Sequence, residues 1–173
     1  VLRTDIEKTH AIPTDVEHKI LTGVQKALKQ VKAIVLSDYG KGVLTKSLLE
    51  KTIRAANEAG VPVLVDPKGH DFSIYRGADV VTPNRKELGE AAGVKNLKSD
   101  EDIVSAARKI IREGGIKTVL ATRSEDGMSV VPSVGEPLHL KAQAREVFDV
   151  SGAGDTVIAT MAAVLGTGAD TAT

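Results

Sequence analysis

The sequence contains no cysteine and no tryptophan, and only two phenylalanines and two tyrosines. Without cysteine there is no disulfide framework, no thiolate metal site and no Cys nucleophile, an absence that fits a reducing cytosol better than secretion. With so few aromatic residues the core must be built from Val, Ile, Leu and Ala, which favours strands and helices packed in layers. An excess of one charge is also missing: 23 Lys and Arg balance 23 Asp and Glu. No single-sign field is available to hold a phosphate backbone or an anionic leaflet, so nucleic acid and membrane surfaces are excluded as partners while small ligands stay open. No stretch approaches about 18 uninterrupted apolar residues, and Val1-Leu2-Arg3-Thr4-Asp5 lacks a basic-then-apolar signal layout, so a soluble, cytoplasmic protein is expected. The four histidines, His10, His18, His70 and His139, are scattered without metal spacing, which argues against a zinc site.

What is present is ordinary globular composition, 42% hydrophobic and 27% charged over 173 residues, enough for one domain or a large piece of one. The first residue is not Met and the chain stops just beyond an apolar helix, so a fragment is expected. Thr14-Asp15-Val16-Glu17 reads as a capping box opening a helix whose stripe is Val16, Ile20, Val24, Leu28 and Val31. Ala33 to Leu36 is a short continuous apolar run of the kind found in buried parallel strands. Thr45 can cap a helix carrying Leu48, Leu49, Ile53 and Ala56, closed by Gly60, and Val63 to Val65 is the next strand. The alternation continues with Val80-Val81 as a strand, Asn84 to Ala92 as a helix stopped by Gly93, a helix from Ser99 to about Glu113, and a strand from Thr118 to Ala121. Met128 to Val131 and Leu138 to Leu140 read as an antiparallel hairpin, and Glu146 to Phe148 as one more strand. Val157 to Leu165 is so uniformly apolar that burial on most sides is expected. The fold class is therefore α/β, a three-layer α/β/α arrangement with a mainly parallel sheet and an antiparallel hairpin at one edge.

In an open parallel sheet the ligand crevice lies outside the carboxyl ends of the strands. The loops that follow the strands, at Asp38, Asp66, Asn84 and Thr122, together with Gly152, should therefore converge. At Gly152-Ala153-Gly154-Asp155 the glycines let backbone N–H groups face an anion at the positive end of a helix. Asp155 in that turn can accept a proton from an alcohol while the amides stabilise phosphoryl charge. Asn84 and Glu87 place two oxygen-bearing side chains on one helical turn, where hard ligands and waters suit Mg²⁺, although both residues also have a complete explanation as helix caps. Lys41 and Lys68 are candidate substrate-binding cations, against the plainer reading of solvated loop lysines. Asp38 and Asp66 are read as organisers of the turns that follow their strands. No G-x-G-x-x-G follows the first strand, which disfavours a nicotinamide-binding oxidoreductase.

Asp149-Val150-Ser151-Gly152-Ala153-Gly154-Asp155-Thr156 resembles the D-x-[ST]-G-A-G-D signature of the ribokinase-like (PfkB) carbohydrate kinases, and Asn84-Arg85-Lys86-Glu87 matches their N-x-x-E motif. Within that family, Leu36 to Gly42, Val65 to Gly69, Thr82 to Asn84 and Thr122 to Met128 look like the heptose 7-phosphate kinases of lipopolysaccharide core synthesis. The resemblance implies an alcohol phosphotransferase using ATP and Mg²⁺, acting on the anomeric hydroxyl of D-glycero-β-D-manno-heptose 7-phosphate. It implies Asp155 as catalytic base, with the Gly152, Ala153 and Gly154 amides as anion hole. Asn84, Arg85, Lys86 and Glu87 would lie at the Mg²⁺-ATP phosphates, with Glu87 and Asn84 serving the metal through water, and Thr122, Ser124 and Gly127 would border the nucleotide. It further implies a homodimeric parent in which residues 1–8 end a β-sheet lid and residues 14–173 form the carboxyl-side core of one kinase domain, with an adenylyltransferase domain fused elsewhere. A kinase of another sugar, or a nucleotide-binding fragment without turnover, are the alternatives.

Overall fold

The computed structural model describes Thr4, residues 7–142 and residues 152–169, so the strand expected at 146–148 and the motif residues Asp149 to Ser151 lie outside the described residues. Among the described residues six strands form one sheet in sequence order: β1 (Ile34–Ser37), β2 (Val63–Asp66), β3 (Val80–Val81), β4 (Thr118–Thr122), β5 (Met128–Pro132) and β6 (Leu138–Leu140). The first four are mutually parallel, with Leu36 opposite Val65 and Val81 opposite Val119. β5 and β6 run antiparallel as the expected hairpin, with Val119 opposite Val131 and Val130 opposite Leu138.

Side-chain alternation along these strands explains the layers. Val63, Val65, Val81, Val119, Ala121 and Val131 point to one face, where they bury against Leu49 and Ile53 of α2 (Lys46–Glu58), Leu88 of α3 (Arg85–Ala92) and Ile103, Ala107 and Ile110 of α4 (Asp100–Gly114). The intervening Leu64, Val80, Leu120 and Val130 point to the other face and meet Ile158 of α5 (Ala153–Gly166). Strands covered on both faces read as continuous apolar runs because neither parity can be polar. Each fully buried Leu, Ile or Val contributes about 1.5–3 kcal/mol relative to exposure, so the aliphatic core carries the stability that aromatics supply elsewhere.

The helix ends follow from local chemistry. Thr45 Oγ1 accepts from the Leu48 N–H at 3.1 Å, and Asn84 and Ser99 each open a reciprocal capping box, with Glu87 and Asp102. Gly93 and Gly115 close α3 and α4 in the left-handed conformation.

Two expectations need correction. The capping box at the start of α1 (Thr14–Ala27) does not form: Pro13 occupies the cap, and Glu17 turns to α2 instead, accepting from Thr45 Oγ1 at 2.7 Å and Ser47 Oγ at 2.6 Å, with Lys51 Nζ at 3.4 Å. Two hydroxyls and an ammonium outcompete one backbone amide for a carboxylate, and they also tie α1 to α2. The second correction concerns α5, of which only Ile158 is buried while Ala159, Ala163 and Val164 are exposed. Its apolar character is used on one side by the sheet, and among the described residues nothing covers the other.

Candidate active site

Parallel pairing brings the carboxyl ends of β1 to β4 to one edge, and backbone bonds continue across it: Asp38 N–H donates to Asp66 O at 2.9 Å, and Thr122 N–H donates to Pro83 O at 3.0 Å. Asn84 and Thr122 pair as an isolated parallel bridge just beyond the strands. The expected convergence of the strand-end loops is present.

α5 packs across β1 and β2 with its carboxyl end against Lys32, which precedes β1, so its amino end overlies the loops that follow the two strands. Gly152 takes the cap position with φ 76°, and no side chain caps this helix among the described residues. α2, α3 and α4 each have a capping side chain, whereas the first-turn N–H groups of α5 are left open to solvent together with exposed Gly152, Ala153, Gly154 and Asp155. A left-handed cap without a Cβ is what exposes those amides.

The charge at this edge is lopsided. Asp66 titrates above the ordinary carboxylate range, first because it is desolvated and then because the charges of Glu87 and Asp155 repel its own, with Asp38 adding to them and Lys68 opposing. Four carboxylates thus share one edge, partly offset by Lys68. Glu87 Oε2 accepts from Asn84 N–H at 3.0 Å, Asn84 Oδ1 accepts from Glu87 N–H at 2.9 Å, and Glu87 Oε1 lies 3.4 Å from Lys68 Nζ. Both oxygens of Glu87 are engaged, so it is not poised as a bidentate chelator. Among the described residues no three His, Asp or Glu side chains gather closely enough to hold a metal. A divalent cation fits the negative charge here only if waters or phosphate oxygens complete its coordination, which is the manner suited to Mg²⁺.

Arg85 pairs with Asp126 and donates from Nη2 to Arg123 O at 3.3 Å, tying α3 to the loop carrying Thr122, Ser124 and Gly127. Arg123, which sequence reasoning passed over, holds that loop from beneath: its nearly buried guanidinium donates to Asp100 Oδ1 at 2.5 Å and Ser129 Oγ at 2.8 Å. Gly127 has φ 88°, and a Cβ there would overlap the carbonyl of Leu140 on the hairpin, so this glycine has a structural requirement apart from any ligand. Lys86 lies on the exposed side of α3, 3.8 Å from Glu90, and is not joined to the other site residues. Lys41 reaches back to Glu7 Oε1 at 2.6 Å in a half-exposed ion pair, an arrangement of little energetic weight that leaves the lysine available. Asp38 organises its turn as expected, Oδ1 accepting from Gly40 N–H at 2.8 Å.

Tyr75 was also missed. Asp71 caps a single 3₁₀ turn, Phe72–Tyr75, whose period of three places Phe72 and Tyr75 on one side, both buried and edge to face at 5.8 Å. The only signal in the sequence was a scarce aromatic three residues after another.

A three-layer α/β fold with a glycine-rich helix start over the carboxyl edge of its sheet, and an Asn-x-x-Glu turn beside it, is the arrangement expected from the resemblance to the carbohydrate kinases. The chain belongs to the pfkB family of carbohydrate kinases, which residues 10–173 match. It is 52% identical over 169 residues to a bifunctional protein HldE of Paramagnetospirillum magneticum, and 50% identical over 169 residues to that of Rhodospirillum rubrum. Each alignment takes in 98% of this chain and 34% of the relative, so the chain spans about a third of the length of the curated relatives it matches. In fold it is similar to phosphofructokinase-2 from Escherichia coli (TM-score 0.78, 24% identity, 92% of this chain and 52% of that one). It is likewise similar to a ribokinase of Arabidopsis thaliana crystallised with ribose and ATP (TM-score 0.70, 24% identity, 94% of this chain and 49% of that one).

Proposed function

We propose that this chain is the carboxyl-side part of an ATP-dependent sugar kinase domain that phosphorylates the anomeric hydroxyl of D-glycero-β-D-manno-heptose 7-phosphate to the 1,7-bisphosphate. The observation that carries the reading is Asp155 on the first turn of an uncapped helix, close enough to Asp66 to raise its titration, with Asn84, Glu87 and Thr122 on the neighbouring strand ends.

The chemistry follows from that placement. The anomeric O–H gives its proton to an Asp155 carboxylate oxygen as its oxygen attacks the γ-phosphorus in line. The bond from that phosphorus to the bridging oxygen breaks, and ADP leaves with the electron pair. The amides of Ala153, Gly154 and Asp155 stabilise the equatorial phosphoryl oxygens, where negative charge concentrates, a role their position at the positive end of α5 supports. Glu87 and Asn84 would hold Mg²⁺ through water, and the metal, when bound with ATP, neutralises phosphate charge. The Thr122–Gly127 loop would border the nucleotide, leaving the β1 and β2 loops beneath Asp155 to the acceptor sugar.

The choice of heptose 7-phosphate rests on the likeness of the Asp38, Asp66 and Thr122 loops to that subfamily and on the HldE relatives. Those relatives are called bifunctional and extend well beyond this chain, which supports a parent carrying an adenylyltransferase domain; that the parent is homodimeric and cytoplasmic is part of the same proposal and rests on the family resemblance of the sequence. No described helix is long and apolar enough to cross a membrane. Coupled-enzyme detection of ADP with the full-length parent and a panel of sugar phosphates tests the reading. Heptose 7-phosphate should give the highest kcat/KM; a preference for another sugar would overturn the substrate, and ATP binding without turnover on any sugar would overturn the kinase.

A further inference from the structure

The two lysine-bearing loops of the crevice are fastened together from below by one buried hydroxyl. Tyr75 is fully buried, and its O–H donates to Asp38 Oδ2 at 2.7 Å. The same oxygen accepts from Lys68 N–H at 3.1 Å and lies 3.2 Å from Lys68 O. A phenol has one proton, and the nearer, ionised acceptor takes it, which leaves a lone pair for the Lys68 amide. Burial holds the hydroxyl far above its ordinary titration range, so it remains a donor at any physiological pH.

Asp38 begins the turn that ends at Lys41 and Gly42, and Lys68 begins the turn after β2. The loops are also joined by the β1–β2 ladder, which ends at the Asp38 amide, and Gly40 approaches the Lys68 side chain closely. The strand order sets them beside the nucleotide loop: Asn84 and Thr122 follow β3 and β4, whereas Asp38 and Lys68 follow β1 and β2, under the helix end that carries Asp155, and Lys68 Nζ reaches across to Glu87 Oε1 at 3.4 Å. The group that takes the acceptor's proton lies over these two loops, so the acceptor hydroxyl is presented beside them, with Lys41 and Lys68 as the cations the two loops carry.

We infer that Tyr75 is a positioning residue for the acceptor side of the site: by joining Asp38 to the Lys68 backbone, it sets the spacing of Lys41 and Lys68 that receives the phosphate of an anionic sugar. This deepens the kinase reading and rests on it. Tyr75→Phe keeps the ring and its packing against Phe72 and removes only the bridge.

In the full-length protein, Tyr75→Phe should raise KM for the sugar phosphate about tenfold while kcat and KM for ATP stay within about twofold. Amide exchange at Lys68 should accelerate by about tenfold or more, because its acceptor is gone. In a double-mutant cycle with Asp38→Asn the effects on KM should be non-additive. A purely structural role would lower the active fraction and hence apparent kcat, with both KM values unchanged, and that result overturns the inference. Unchanged Lys68 exchange in an active Tyr75→Phe enzyme overturns it too. A wild-type protein without kinase activity, in which Tyr75→Phe still frees the Lys68 amide, refutes the kinase reading and leaves the fastening in place.

Discussion

Asn84 and Glu87 cap each other, the Asn84 side chain taking the Glu87 amide at 2.9 Å and the Glu87 carboxylate returning to the Asn84 amide at 3.0 Å. A motif proposed for metal and nucleotide is thus also the start of α3, and the two roles separate by substitution. Glu87→Gln retains a side-chain oxygen for the Asn84 amide, so stability should change by less than about 0.5 kcal/mol, whereas Glu87→Ala should cost about 1 kcal/mol. If Glu87 serves Mg²⁺ through water, the Mg²⁺ concentration for half-maximal activity should rise roughly tenfold in Glu87→Gln. Metal titrations of wild type and variant that superimpose would assign Glu87 to capping alone.

Asp155→Asn keeps the size of the side chain on an exposed helical turn and removes its basicity. The full-length kinase should lose roughly 10²- to 10⁴-fold in kcat with ATP affinity nearly unchanged. Were Asp155 only a favourable charge at the helix end, the substitution would cost about 0.3–1 kcal/mol and leave kcat intact. Kinetics and melting on one variant distinguish the outcomes.

Gly127→Ala forces a Cβ onto a backbone at φ 88° and toward the Leu140 carbonyl. The hairpin or the loop must shift, at about 1–3 kcal/mol, and KM for ATP should rise as Thr122 and Ser124 move with it. A variant with wild-type melting would show that the β6 end yields freely.

Stability should depend on pH with opposite signs at two carboxylates. Hydrogen bonds from Ser47 and Thr45, and then Lys51, hold Glu17 below its ordinary value of 4.5. Its contribution is present above pH 4.5 and is lost as pH falls through the lower folded value. Asp66 is raised above 3.8, mainly by burial and then by Glu87 and Asp155. Its contribution is complete below 3.8 and is lost as pH rises through the higher folded value. Glu17→Gln should therefore lower urea stability at pH 7 and flatten the acid limb, while Asp66→Asn should raise stability at pH 7 with the gain fading toward pH 4. Loss of stability at pH 7 in Asp66→Asn would contradict the repulsion.

Element types and their order were legible in the sequence because they rest on local chemistry. Thr45, Asn84 and Ser99 cap where their spacing to Leu48, Glu87 and Asp102 predicts, and the strand runs are apolar because both faces are covered. The Gly152-Ala153-Gly154-Asp155 turn and the Asn84-x-x-Glu87 turn were likewise visible as motifs. What the sequence by itself could not decide was competition between partners distant along the chain. Glu17 has an adequate local cap at Thr14 and abandons it for Thr45 and Ser47, about 30 residues away. Tyr75 looks like any core aromatic until the fold sets Asp38 and Lys68 against its hydroxyl, and Arg123 like any loop cation until α4 brings Asp100 to it. The one-sided burial of α5 is a tertiary fact as well, since a helix's periodicity records how apolar each face is and not how many neighbours arrive to cover it. Short-range hydrogen bonds are written in residue spacing, whereas desolvation and charge at the strand ends exist only once parallel pairing has brought four separate loops to the same edge.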